Sequence, residues 1–389
     1  MGHGGKMDFT WSREDTEFRS RVRGVLSREL PTNWPTLARH GPGSRQQTEF
    51  CLEFCPKLAE AGLLVPHWPR EWGGAERPVW EHFILGEEMW AAGEPRGAQY
   101  MNVNWIGPVL MQFGSDAQKQ RYIPQMAAGK AIWCQGFSEP NAGSDLASLK
   151  TRADREGDEY VINGQKIWTS YAGMADQCFL LARVSGAGEG KSAIAIFIVP
   201  MTTPGIEVRS IPSLIGHGDI HEVFFTDVHI PVSARLGEVG QGWKIISAAL
   251  ANERVGIPRY QLATIILDEM VGLLKTRGQF GDPVIRLRAA QAAASCEAAR
   301  ILVYHVVDAK SRGQILGADA NVARLAVIGA DHAVSDFGMD FLADCYSGAG
   351  HVSFMSHHER AIVTGIAAGA AEIQLNIVAQ RYLNLPREA

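Results

Sequence analysis

Hydrophobic periodicity changes character twice along this chain, and that double switch constrains the fold more than any other feature. From residue 8 to about residue 130, apolar residues recur at helical spacing, as in the stripe Phe18, Val22, Val25, Leu26. Between Ile132 and Leu236 the pattern breaks into short β-prone runs, at 160–162, 177–184, 193–199 and 222–228, separated by Gly and Pro turns. Long Ala- and Leu-rich helical segments then follow, at 243–274, 283–312, 318–342 and 359–383. Neither one bundle nor one sandwich accommodates that order. The expectation is a multi-domain α+β chain. It has an N-terminal helical domain (7–130), a central small β-sandwich or barrel (131–236) and a C-terminal four-helix bundle (237–389), with residues 1–6 as a leader.

Charge and cysteine usage narrow the partners. The 389 residues suffice for a large core, and 37 Lys plus Arg against 42 Asp plus Glu leave a formal charge of −5. That balance argues against nucleic acid or an anionic membrane as the partner. No apolar run reaches the length of a membrane span, and no charged-then-apolar leader opens the chain. The six cysteines are scattered, and Cys51/Cys55 lacks the second pair that a zinc site needs. No metal, reduced thiols and a cytoplasmic location are expected.

Two stretches carry the chemistry. Residues 135–145, Gln-Gly-Phe-Ser-Glu-Pro-Asn-Ala-Gly-Ser-Asp, form a turn-rich loop that offers backbone N–H groups and short donors to a polar ligand. Residues 163–170, Asn-Gly-Gln-Lys-Ile-Trp-Thr-Ser, read as an Asn-Gly turn leading into a strand that presents an indole and two hydroxyls. In this order and at this spacing they resemble the flavin-binding signatures of acyl-CoA dehydrogenases, and the likeness continues to the last helix. Such enzymes remove the proton α to a thioester carbonyl and pass hydride from the β carbon to flavin. They need a placed carboxylate base, donors on the thioester oxygen and a flavin held against the Cα–Cβ bond.

The resemblance implies that Phe137, Ser138, Gly143 and Ser144 line the ring and pyrophosphate of FAD, with Ser144 also reaching substrate. It puts Trp168 on the far side of the ring and Ser170 near N5. The run 277–281, Arg-Gly-Gln-Phe-Gly, resembles the family's Arg-x-x-Phe-Gly signature. It implies that Arg277 and Phe280 reach the cofactor diphosphate of a neighbouring subunit. Gly348, Gly350 and Gly369 are further cofactor candidates. Here the match is imperfect: Asp344 stands where the family usually has Gln, and an acid facing phosphates is unfavourable.

At the usual place of the catalytic Glu stands Ala368, which keeps a backbone N–H for the thioester oxygen but cannot take a proton. Ala370 replaces the usual Thr, and Glu372 lies about one helical turn away from the base position. A second base location exists in the family, and 251–254, Ala-Asn-Glu-Arg, matches it. Glu253 is therefore the candidate base, and Arg254, Gly365 and Ala367 are substrate-binding candidates. Pro258 lies five residues past Glu253, inside the same helical pattern, and should kink or loosen that helix there. With the small residues Gly365, Ala367 and Ala368 it suggests a wide acyl pocket for a bulky or branched ester.

This combination looks like the bacterial steroid side-chain branch, which acts on sterol-derived acyl-CoA and often assembles from two different subunits. An acyl-CoA substrate, an electron-transfer flavoprotein as acceptor, and a homotetramer or α2β2 heterotetramer with a paralogous subunit follow. Two rivals share the fold: an oxygen-reacting flavin monooxygenase or oxidase, and a partly degenerate partner subunit.

Overall fold

The computed structural model describes residues 10–38, 44–214, 220–254, 258–314, 317–347, 352–367 and 369–386, with the backbone alone at 251–254, 346–347 and 352–353. The first third is helical: α1 (Arg13–Glu29), α2 (Trp34–Ala38), α3 (Arg45–Glu60), α4 (Val79–Ala91), α5 (Gln99–Met101), α6 (Gly107–Phe113) and α7 (Asp116–Ala127). Side-chain caps set several starts. Ser12 accepts from the Asp15 N–H at 3.0 Å, and Ser115 with Gln118 forms a reciprocal capping box at α7. Gln118 also donates to the carbonyls of Ser233 and Arg235, both at 2.9 Å, tying α7 to the end of the β region.

Between α5 and α6 the chain runs as a π-helical turn, Asn102–Ile106, where the sequence pattern predicts one helix from about 103 to 113. The cause is Trp68. Its buried indole donates to the Val103 carbonyl at 3.0 Å and takes the acceptor an α-helix would use. Gly107 makes room for that ring: a Cβ there would lie 2.3 Å from it.

The middle region is one eight-stranded sheet. Its strands are β1 (Trp133–Gly136), β2 (Arg152–Glu156), β3 (Glu159–Ser170), β4 (Gln177–Val184), β5 (Ile194–Pro200), β6 (Ile206–Ser210), β7 (Ile220–Pro231) and β8 (Arg235–Leu236). They lie in the order β6-β7-β3-β2-β4-β5-β8, with β1 on β4. β4 pairs in parallel with β1 and β2, and the other pairs are antiparallel. The four β-prone runs of the sequence fall in β3, β4, β5 and β7. β2 and β6 carry too many charges to show an apolar run. One core is shared: Leu110 and Ile106 from the helices, Phe179 and Ile196 from the sheet, and Ile245 beyond it pack together.

The last third contains α8 (Gly242–Arg254), α9 (Tyr260–Thr276), α10 (Pro283–Ser311), α11 (Asp319–Phe341), α12 (Val352–Thr364) and α13 (Ala371–Arg381). Two predicted helices need correction. The one over 243–274 is two helices, because Pro258 lacks the N–H to continue α8 and instead starts α9, where its carbonyl accepts from Gln261 at 3.0 Å. The one over 359–383 is likewise divided, by a turn that includes Gly369 at φ 89°. No described helix is long and apolar enough to cross a membrane.

Candidate functional site

The two stretches singled out in the sequence meet. The Ile167 N–H donates to the Ser138 carbonyl at 2.9 Å, and the Lys166 ammonium donates to the Phe137 carbonyl at 3.0 Å and to Glu139 at 2.8 Å. The Glu139 carboxylate also accepts from the amides of Lys150 (2.6 Å) and Thr151 (2.8 Å). Lys166 is fully buried and Glu139 is 8% exposed, so this pair is the interior brace of the loop. The two ends respond differently to burial. Burial disfavours the Glu139 charge, but Lys166 and the two amides outweigh it and hold the carboxyl below its usual range. Burial wins at Lys166, which has fewer partners, and draws the ammonium below its ordinary value despite Glu139.

Pro140 and Asn141 form the tip of a turn closed by reciprocal 3.0 Å bonds between Glu139 and Ala142. That turn leaves Gly143, Ser144 and Asp145 exposed, and a Cβ added at Gly143 would meet nothing within 4 Å. Arg183 anchors the loop's far end through the carbonyls of Ala147 (2.8 Å) and Leu149 (3.3 Å). On β3, the register against β7 slips between Lys166 and Thr169, and the bulge turns Trp168 outward. Trp168 has φ 59° and is 58% exposed. A large indole held in left-handed backbone and shown to solvent is strained with no packing return, as expected of a ligand-facing residue. Tyr171, at φ 66°, brackets half-buried Ser170 from the other side.

This face fits the ring of a flavin. Next to Trp168 in sequence, Thr169 Oγ1 is buried without a hydrogen-bond partner, and so is Gln135 Nε2 on β1. Phe137, Ser138 and Ser144 share the stitched loop. The structure thus joins the two stretches at 137–138 and 166–167, with 143 and 144 further along the same loop and 168 and 170 further along β3. The bracing roles of Lys166, Glu139 and Arg183 go unread in the sequence; a Lys and a Glu inside the two quoted stretches were the available signal.

The second half of the expected cofactor site looks different. Arg277 caps α9, and Gly278, at φ 70°, closes it with a Gln279 N–H bond to the Leu274 carbonyl at 2.9 Å. The Arg277 guanidinium donates to both Asp344 oxygens, at 3.1 and 2.9 Å, and to Cys345 Sγ at 3.0 Å. Phe280 packs nearby under the Lys275 ammonium at 5.3 Å. Gly348 and Gly350 lie outside the described residues.

The turn after α12 is held by α11. Buried Arg324 donates to the carbonyls of Thr364 (2.8 Å) and Ala367 (3.1 Å). Gln374 donates to the Gly369 carbonyl at 3.1 Å and is itself held by Asn321 at 2.5 Å. Gly365 packs near Ile328, Ala367 is exposed, and Glu372 points to solvent. Ala368 lies outside the described residues. Glu253 and Arg254 occupy the last turn of α8, with side chains outside the description.

Comparison with known proteins places this geometry. Profiles of the N-terminal, middle and C-terminal domains of acyl-CoA dehydrogenase match residues 12–130, 134–228 and 240–383. The chain is 32% identical over 381 residues to the acyl-CoA dehydrogenase IpdE1 of Mycobacterium tuberculosis (strain ATCC 25618 / H37Rv), covering 96% of this chain and 98% of that one. Among solved structures, the Tcur3481-Tcur3483 steroid ACAD superposes with TM-score 0.89 at 29% identity, over 98% of this chain and 100% of that one. The ChsE4-ChsE5 complex from Mycobacterium tuberculosis does so with TM-score 0.87 at 26% identity, over 98% and 100%.

Proposed function

This chain belongs to the acyl-CoA dehydrogenase family, and from that premise we propose that it is an FAD-dependent enzyme desaturating the Cα–Cβ bond of an acyl-CoA thioester. The observation that carries the reading is the stitched pair of stretches at 137–144 and 166–170, which presents a strained, exposed Trp168 followed by a buried Thr169 hydroxyl with no partner. FAD, when bound there, supplies the acceptor for the hydride leaving Cβ. The chain's residues do the rest. Glu253 takes the α proton as general base. The backbone N–H of Ala368 donates to the thioester oxygen and stabilises the charge that grows as the proton leaves. Arg324 steadies that turn through the carbonyls on either side of 365 and 366. Ser144, Arg254, Gly365 and Ala367 border the substrate, while Phe137, Ser138, Gly143, Trp168, Ser170 and Gly369 border the cofactor.

The break at Pro258 and the small residues at 365, 367 and 368 favour a bulky ester, such as a steroid side-chain CoA ester. Two of the structural relatives are the Tcur3481-Tcur3483 steroid ACAD and the ChsE4-ChsE5 complex, which supports this reading. Arg277 is engaged by Asp344 in its own chain, which favours an α2β2 assembly in which a paralogous subunit supplies the free cation. Electrons pass on to an electron-transfer flavoprotein.

Glu253→Gln in the flavin-loaded assembly tests the reading. Turnover should fall by about 10²–10⁴-fold with flavin retained. Anaerobic addition of an acyl-CoA should bleach the wild-type flavin band. Full activity in the variant would remove Glu253 from the chemistry. Reoxidation by oxygen as fast as by an electron-transfer flavoprotein would favour an oxidase.

A further inference from the structure

We infer that the cavity between α4, the π-helical turn and the start of α9 receives the far end of the acyl group, and that this end carries a carboxylate. The inference rests on the acyl-CoA reading above. The cavity, about 160 Å³, is walled by Pro258, Gly86, His67, His82, Asn104 and Lys310. Pro258 stands five residues past Glu253, and α8 packs on the π-helical turn, so the cavity borders the segment that carries the base. Gly86 lets Pro258 approach: a Cβ at 86 would lie 3.2 Å from the proline ring.

An unsubstituted hydrocarbon tail would call for apolar walls. Phe83, Val79, Val307, Pro108 and Pro258 supply most of the wall, and His67, His82, Asn104 and Lys310 set a polar cluster into it that such a tail would not use. The His67 and His82 rings stack at 3.6 Å and 12°. His82 Nε2 meets Asn104 Oδ1 at 2.9 Å, and Asn104 donates to the Tyr100 carbonyl at 2.7 Å, so the amide is fixed and His82 Nε2 carries the proton. His67 Nδ1 is buried without a partner. Neither ring suits a positive charge. Burial, then the nearby positive groups, holds His67 well below its ordinary value, and burial pushes His82 down to about 3.

The charges do not balance. Buried Arg96 is paired to Glu94 through bonds of 2.6 and 2.8 Å, so it brings no excess. The ammonium of Lys310, on the last turn of α10, is partly exposed and has no ion-pair partner among the described residues, and burial draws it below its ordinary value with no carboxylate to offset it. A small recess of mixed lining, with one cation outside any ion pair and an unpartnered imidazole nitrogen, matches an anionic acceptor. A carboxylate satisfies the ammonium with one oxygen and leaves the other to accept from His67 in its Nδ1–H tautomer, the His82 proton being taken by Asn104.

The flavin-loaded assembly should be titrated calorimetrically with length-matched pairs of CoA esters, one unsubstituted and one ending in a carboxylate. At the lengths that reach the cavity, the carboxylate ester should bind about tenfold more tightly. Lys310→Met should erase that preference and Lys310→Glu should reverse it, with the unsubstituted ester unaffected. Equal affinity for the two esters at every length, or a preference that survives both variants, overturns the inference and leaves the acyl-CoA reading intact. If neither ester binds, the acyl-CoA reading falls and this inference with it.

Discussion

Two ion pairs of nearly equal length, Lys166–Glu139 in the sheet region at 2.8 Å and Arg277–Asp344 in the helical bundle at 2.9 Å, do opposite things to the same expected cofactor site. The first is sealed from water, at 0% and 8% exposure, and braces a loop that faces outward. The second is open, at 29% and 66%, and engages the cation that the family resemblance assigns to a neighbour's diphosphate. Distance does not separate them; burial does. A buried pair cannot exchange partners without leaving a charge stranded, so it is architecture. An exposed pair is worth little and can be displaced, so it acts as a competitor.

That contrast can be broken at its strong end first. Lys166→Met strands Glu139 in the interior and should cost about 3–5 kcal/mol in urea unfolding, with flavin lost as the loop loosens. Adding Glu139→Gln, which removes the stranded charge and keeps an acceptor for one of the Lys150 and Thr151 amides, should recover part of the stability. A Lys166→Met protein as stable as the wild type would show that the pair braces nothing.

Acid unfolding gives the next effect. The Glu139 carboxyl titrates below its ordinary value of 4.5 in the folded chain, so its stabilisation is present above that value and is lost as pH falls through the lowered one. Lys166→Met removes the cation that lowers it, and the acid transition followed by circular dichroism should move to higher pH. An unmoved transition would contradict the assignment.

Trp168→Gly sharpens the comparison on the ligand-facing side. It relieves the left-handed backbone and should stabilise the apoprotein by about 1 kcal/mol while weakening flavin retention. A gain in both would separate Trp168 from the cofactor. Asp344→Gln should change stability least, by less than about 1 kcal/mol, because the pair is exposed. Its effect should appear instead as more flavin held per chain.

Much of this molecule was legible in the sequence, for physical reasons that also mark where legibility stopped. The helix–sheet–helix order is written in local periodicity, and the strands at 177–184 and 222–228 are apolar enough to announce themselves. Arg-Ala-Asp-Arg-Glu in β2 is not, because its place between β3 and β4 comes from its neighbours rather than its own side chains. The π-helical turn was hidden for a similar reason: the group that creates it, the Trp68 indole, is 35 residues from the carbonyl it takes. Pro258 was visible as an interruption, and its lost N–H divides the helix rather than bending it. The two stretches that carry 137, 138, 144, 168 and 170 could be picked out from turn and strand chemistry plus resemblance. Lys166 and Glu139 resemble solvated loop charges until β3 folds over the loop and buries them. Arg324 reaches backbone carbonyls 40 and 43 residues away, which no local pattern encodes.

The asymmetry between the two halves is tested most directly by counting FAD per polypeptide in the chain purified alone, then with Asp344→Gln. A braced loop facing an occupied Arg277 predicts well under one FAD per chain, rising in the variant and on addition of a paralogous subunit. Close to one FAD per wild-type chain, unchanged by Asp344→Gln, would contradict it and make the chain a self-sufficient homo-oligomer.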